Sequence, residues 1–209
     1  MNKEERRYCR AIIIFISMFV LTTFMEGQQL NTGFFGGISA SQVDGDSYTG
    51  FNKLGLTAGF YMNRHIEYHI YWQAEIKYGT RGVYKGPADN DPTLYRSGYH
   101  YLSLPVSVHY LYQEKFLMEI GTSPEVLVAT YLWDEGGLMD SSSYPENRKF
   151  GLSVFAGVGY WFNDRVMTGL RYTNSAIPFR DPEEWNHPRY RGYFHNVISI
   201  SISYKFGQK

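Results

Sequence analysis

The sequence predicts an all-β fold: an eight-stranded antiparallel up-and-down β-barrel whose strands cross a membrane. Three observations carry that reading. Several segments alternate between apolar and polar or small residues with the period of two that a strand imposes. The connections between segments are alternately short and long, so one end of the structure is trimmed and the other elaborated. Aromatic residues gather at the segment ends, with an aliphatic band between them. Composition agrees, with 19 Tyr, 14 Phe and 4 Trp beside 21 Gly in 209 residues. Aromatics pack on pleated surfaces, and Gly serves turns and tight corners. Lys+Arg and Asp+Glu are both 20, which gives no basic excess for nucleic acid, and a single Cys excludes a disulfide framework or a Cys-rich zinc site.

The chain opens on Lys3, Arg6, Arg7 and Arg10, followed by the uncharged apolar run Ala11–Leu21. That run has the length of a signal-peptide core and falls short of the roughly 20 apolar residues a spanning helix needs. Residues 1–27 are therefore expected to be a cleaved export signal, with an uncleaved anchor as the alternative, and 28–209 the barrel domain.

Eight strands follow: Asn31–Gln42, Asn52–Met62, Ile70–Gly79, Tyr99–Tyr112, Phe116–Ala129, Lys149–Phe162, Arg165–Thr173 and Phe194–Phe206. The last is the clearest, with Ile198, Ile200, Ile202, Tyr204 and Phe206 on one face and Ser199, Ser201, Ser203 and Lys205 on the other. The fourth sets Leu102, Leu104, Val106, Val108 and Tyr110 against Ser103, Pro105, Ser107 and His109. In the third, Trp72, Ala74, Ile76 and Tyr78 oppose Gln73, Glu75, Lys77 and Gly79. In the sixth, Leu152, Val154, Ala156, Val158 and Tyr160 oppose Gly151, Ser153, Phe155, Gly157 and Gly159. Short links stand at Gln113–Lys115 and Asn163-Asp164, a somewhat longer one around Asn63–His69, and the alternate, long ones at Val43–Phe51, Thr80–Gly98, Thr130–Arg148 and Asn174–Tyr193. In lipid every backbone N–H and C=O must be paired internally, so such a sheet has to close. The alternative is a soluble calyx, which would turn its apolar face inward.

Several local motifs, in order, resemble those of the Bacteroidetes-type small outer-membrane β-barrel proteins, often labelled porin family or PorT-like. Gln73-Ala74-Glu75-Ile76-Lys77-Tyr78 is similar to the family's Gln-Pro-Glu-Leu-x-Tyr, and Tyr101-Leu102-Ser103-Leu104-Pro105 to its Tyr-Leu-x-Ile-Pro. Glu119-x-Gly121, Arg171-Tyr172 and the aromatic ending Tyr204-Lys205-Phe206 also match. Ala74 departs from the family's Pro, and Gly207-Gln208-Lys209 extend past the Phe that normally closes the chain. The resemblance covers nearly all of the mature chain. It implies the outer membrane of a Gram-negative bacterium, an OmpA/OmpX-like architecture and, through the PorT name, an accessory role in secretion or surface assembly.

The candidate site residues follow from the strand faces. Glu75, Lys77, Glu119 and Arg171 point away from the lipid face, where a mid-membrane Arg or Lys would cost about 2–4 kcal/mol. Eight strands leave an interior just wide enough for side chains to fill, so these charges are expected to pair there as a plug, or else to line a gated ion path. Arg81 and Lys205 extend the set towards the two mouths. The last long connection carries Phe179, Arg180, Trp185, Arg189 and Tyr190, types that dominate binding hot spots; it is expected either to bind a partner or to fold over the rim. The six His residues show no metal-binding spacing, and Ser141-Ser142-Ser143 lacks a nucleophile-elbow context. No metal or cofactor is expected and no catalytic residue is assigned; a rim-located outer-membrane enzyme, with Asp140, Asp181 and His187 in loops that could meet, is the less favoured alternative. The expected partners are the outer-membrane lipid bilayer and proteins met through the external loops, with the chain monomeric.

Overall fold

The computed structural model describes residues 30–45, 50–86, 94–134, 136–139, 147–181 and 192–206. The expected signal over 1–27 lies outside them, as do Trp185, Arg189 and Tyr190. The strands are β1 (Asn31–Asp44), β2 (Lys53–His65), β3 (Ile70–Lys85), β4 (Tyr95–Ser103), β5 (Val106–Tyr112), β6 (Phe116–Asp134), β7 (Gly137–Leu138), β8 (Phe150–Trp161), β9 (Val166–Ser175) and β10 (Phe194–Lys205). Every pairing is antiparallel, and each main strand pairs with its successor. Pairing of β1 with β10, from Gly33↔Lys205 to Asp44↔Phe194, closes the sheet into a ring. With β4 and β5 forming one wall segment and β7 only a short hairpin return from β6, the ring is eight strands round.

The burial pattern is that of a soluble protein turned inside out. Large apolar residues are exposed on the outer face, among them Leu54 at 75%, Ile202 at 62% and Ile200 at 52%. Ser41, Ser103, Ser153, Glu75, Arg81 and His109 are buried within the ring. Such a surface is stable only against hydrocarbon, where the hydrophobic residues meet lipid.

Two differences from the sequence expectation have physical causes. The fourth strand divides at Leu104-Pro105, because Pro has no N–H for the ladder. The inward–outward alternation nonetheless continues through the break, since Pro105 accepts from Glu75 N–H at 2.9 Å and Leu104 N–H donates to Pro124 O at 2.9 Å. The expected loop Thr80–Gly98 is largely a hairpin, with β3 running to Lys85 and pairing β4 from Tyr95. Beyond the lipid the outward face no longer needs apolar residues, so the alternation that marks a strand fades there although the ladder persists.

Candidate functional site: the filled lumen

The lumen is crossed by two charged tiers, and the first follows from a single row of the sheet. On β6, β8 and β9 the partners Glu119↔Gly157 and Gly157↔Arg171 stand side by side. Gly157 has no side chain, so Arg171 reaches over β8 to Glu119, with Nε–Oε1 at 2.6 Å and Nη2–Oε2 at 2.9 Å. The same guanidinium spans the bore to Glu75 on β3, four positions round the ring, with Nη2–Oε1 at 2.7 Å and Nη1–Oε2 at 3.0 Å. Both pairings are bidentate, the geometry in which Arg binds carboxylate most strongly. The Phe155 ring lies beneath the guanidinium, 4.3 Å from centroid to Cζ. An amide ladder leads from Glu75 towards the short-turn mouth: Gln73 Nε2 donates to Glu75 at 2.9 Å, Asn63 Nδ2 to Gln73 at 3.1 Å and Asn31 Nδ2 to Asn63 at 3.2 Å. His109, stacked on Tyr71 with centroids 4.7 Å apart, lies 3.6 Å from Glu119.

The second tier lies nearer the long-loop end. Arg81 donates to Glu125 through Nη2 at 2.8 Å and Nη1 at 3.1 Å, while Ser153 Oγ donates to the same carboxylate at 3.0 Å. The Tyr101 ring backs Arg81, 4.2 Å from centroid to Cζ. Lys77 sits between the tiers and borders two small voids, of about 30 and 20 Å³, each sized for a water molecule or two. Among the described residues it joins no ion pair.

Of the four lumen residues read from strand faces, the structure brings Glu75, Glu119 and Arg171 into one cluster and leaves Lys77 beside it. Arg81, read as an extension of the set, is the core of its own tier. Glu125 went unread, although it lies six residues after Glu119 and so on the same face. Gly157 went unread as well, its importance being visible only once three strands are in register. A Cβ at Gly157 would meet Glu119 Oε1 at 2.4 Å and Leu170 O at 2.8 Å. Gly157→Ala is thus expected to cost about 1–3 kcal/mol, checked by urea titration of the vesicle-folded protein.

The two mouths differ. At the long-loop end, Phe179 turns into the barrel and is 5% exposed. It stacks on His195, with centroids 3.9 Å apart and planes 13° from parallel, and packs with Val43, Val83, Tyr99 and Tyr101. Its segment is pinned by Phe179 N–H to Tyr193 O at 2.9 Å and Arg148 N–H to Phe179 O at 2.7 Å. Arg180 donates to Tyr99 Oη at 2.9 Å and to Asn147 Oδ1 at 3.1 Å, and Arg148 pairs with Asp181 at 2.6 Å. Phe179, one of the expected contact residues, is therefore part of a cap. At the short-turn end a vestibule of about 610 Å³ opens between the turns, floored by Tyr71. Tyr68 Oη donates to Glu114 at 2.7 Å across its rim, which raises the phenol's pKa.

A closed sheet with lipid-facing aliphatics and a paired polar interior defines a transmembrane β-barrel, and the chain is a bacterial outer-membrane protein. It belongs to the family described as outer membrane protein beta-barrel domain, whose model matches residues 24–179. No curated protein sequence matches it. Similar solved structures include Ail, the attachment invasion locus protein of Yersinia pestis, in complex with the heparin analogue sucrose octasulfate. That likeness has a TM-score of 0.52 at 13% identity, over 85% of this chain and 99% of the other. Neisserial surface protein A is similar at a TM-score of 0.51 and 14% identity, over 87% of this chain and all of the other. At these identities the likeness is one of fold.

Proposed function

We propose that the protein is a non-conducting, monomeric interaction barrel, exported by a cleaved signal over 1–27, which presents its long connections to other components of the cell surface. The resemblance to PorT-like proteins makes secretion or surface assembly the process it serves as an accessory. The observation that carries this reading is the closed bore: the Phe179–His195 cap seals one mouth and the Arg171–Glu75 pair spans the middle. Short turns face the periplasm in this class of barrel, so the cap and the long connections face outward. No catalytic role is assigned. Asp181 is held by Arg148, and Asp140, Ser141 to Ser143 and His187 lie outside the described residues.

A gated ion path is the second reading, favoured by Lys77, which joins no ion pair among the described residues and borders two water-sized voids. Planar-bilayer recording separates the two. The wild-type protein and Phe179→Ala are both expected to give no stable openings, since each charged tier blocks the bore below the cap. Charge-selective openings that vanish on changing Glu75 or Arg171 would overturn the closed-bore reading.

A further inference from the structure

On its outer half the wall between β2 and β3 is incomplete. The ladder joining these strands stops at Thr57↔Gly79, although β2 runs on to Lys53 and β3 to Lys85. The freed half of β3 turns inward across β2 to meet β1. Ser39 Oγ donates to Thr80 O at 3.3 Å, Ser41 Oγ to Gly82 O at 3.1 Å, and Gly82 N–H returns a bond to Ser41 Oγ at 2.9 Å. The crossing point is Gly55, where a Cβ would fall 2.3 Å from Thr80 O. β4 and β6 follow β3 through their own ladders, as far as Arg96↔Trp133. This tilt lets Lys53, which points inward from β2 and is 6% exposed, donate to Tyr131 Oη at 2.9 Å on β6.

The tilt leaves the outer end of this wall cationic, beside the exposed, lipid-facing Leu54 and Leu56 of β2. One ring organises its charge: Lys53 Nζ lies 5.3 Å from the Tyr131 centroid and Arg96 Cζ 5.7 Å from it. Among the described residues neither cation pairs with a carboxylate. A buried cation without an anion is costly, and a sheet edge facing hydrocarbon is costly too.

We propose that this cationic edge binds the phosphate headgroup of an anionic outer-leaflet lipid. Lys53 and Arg96 supply the charge, Tyr131 stands between them, and Leu54 and Leu56 lie against an acyl chain. Leu54 and Leu56 face hydrocarbon beside the cations, which favours an amphiphile over a free anion.

The test is native mass spectrometry of the full chain released from nanodiscs of equal phosphatidylcholine and phosphatidylglycerol. The ratio of retained phosphatidylglycerol to phosphatidylcholine is expected to fall about fivefold in Lys53→Gln or Arg96→Gln, and further in the double variant. Lys149→Gln, an exposed cation at the same end, is expected to leave it unchanged. An unmoved ratio in the double variant, or an equal fall in Lys149→Gln, would overturn the proposal. Loss of phosphatidylglycerol from the wild type on adding excess inorganic phosphate would also overturn it, by showing a site for any small anion. A heat-dependent gel shift confirms folding of each variant, and Arg96, exposed on the surface, can be changed without disturbing the barrel.

Discussion

Arg171→Met is expected to destabilise the folded barrel by about 3–5 kcal/mol, read from urea titrations of protein folded into lipid vesicles. The side chains of Glu75 and Glu119 are 1% and 9% exposed, and Arg171 binds both of them. Removing it leaves two buried carboxylates facing each other across the lumen and takes away four charge-assisted hydrogen bonds. The penalty belongs to the stranded charges rather than to the guanidinium alone. Adding Glu75→Gln and Glu119→Gln to Arg171→Met should therefore recover much of the loss. A cost below about 1 kcal/mol for Arg171→Met, or no recovery in the triple variant, would show that the tier does not hold the bore together.

Ile200→Lys is the second large effect, at about 2–4 kcal/mol, because it leaves an ammonium near mid-membrane with hydrocarbon around it. Ile200 is paired with Ile38 on β1 and Leu170 on β9, both exposed on the same lipid face. Ser201, one residue on, points into the lumen between Gly37 and Gly169 and borders the void lined by Glu75 and Glu119. Ser201→Lys enters a polar interior that already holds carboxylates, so its main penalty is steric and its cost is expected to be the smaller of the two. The same vesicle titrations decide it; a reversed order would mean that the lumen is too tight for Lys there or that the faces are reversed, and Ser201→Asp tells those apart.

The fold was legible because the lipid face of each strand is nearly pure. The Ile–Ser alternation of β10 and the Leu/Val alternation of β4 and β5 allow only one inward face. That face also placed Glu75, Glu119 and Arg171 in the lumen. Their meeting was not legible, because it depends on β9 standing across the bore from β3 and on the side-chain-free gap at Gly157. The Arg81–Glu125 tier was half-read for a related reason. Arg81 on β3 and Glu125 on β6 meet only because β4 alone separates their strands, which no local pattern shows. At Phe179 the sequence left two readings open, partner contact or a fold over the rim. Its neighbours Arg180 and Asp181 read as an exposed loop, yet one ring among them found the lumen's apolar end, and local sequence does not show which side of a rim a loop residue takes.

Spin-label accessibility along Ile198–Lys205 tests the inside-out sheet most directly. Labels at 198, 200 and 202 are expected to collide with lipid-soluble oxygen and to be shielded from a water-soluble nickel chelate. Labels at 199, 201 and 203 should show low oxygen accessibility, giving a period of two in phase with the isoleucines. Isoleucine positions closed to oxygen as well as to the chelate would mean that their face packs against protein, and the membrane-spanning barrel would be contradicted.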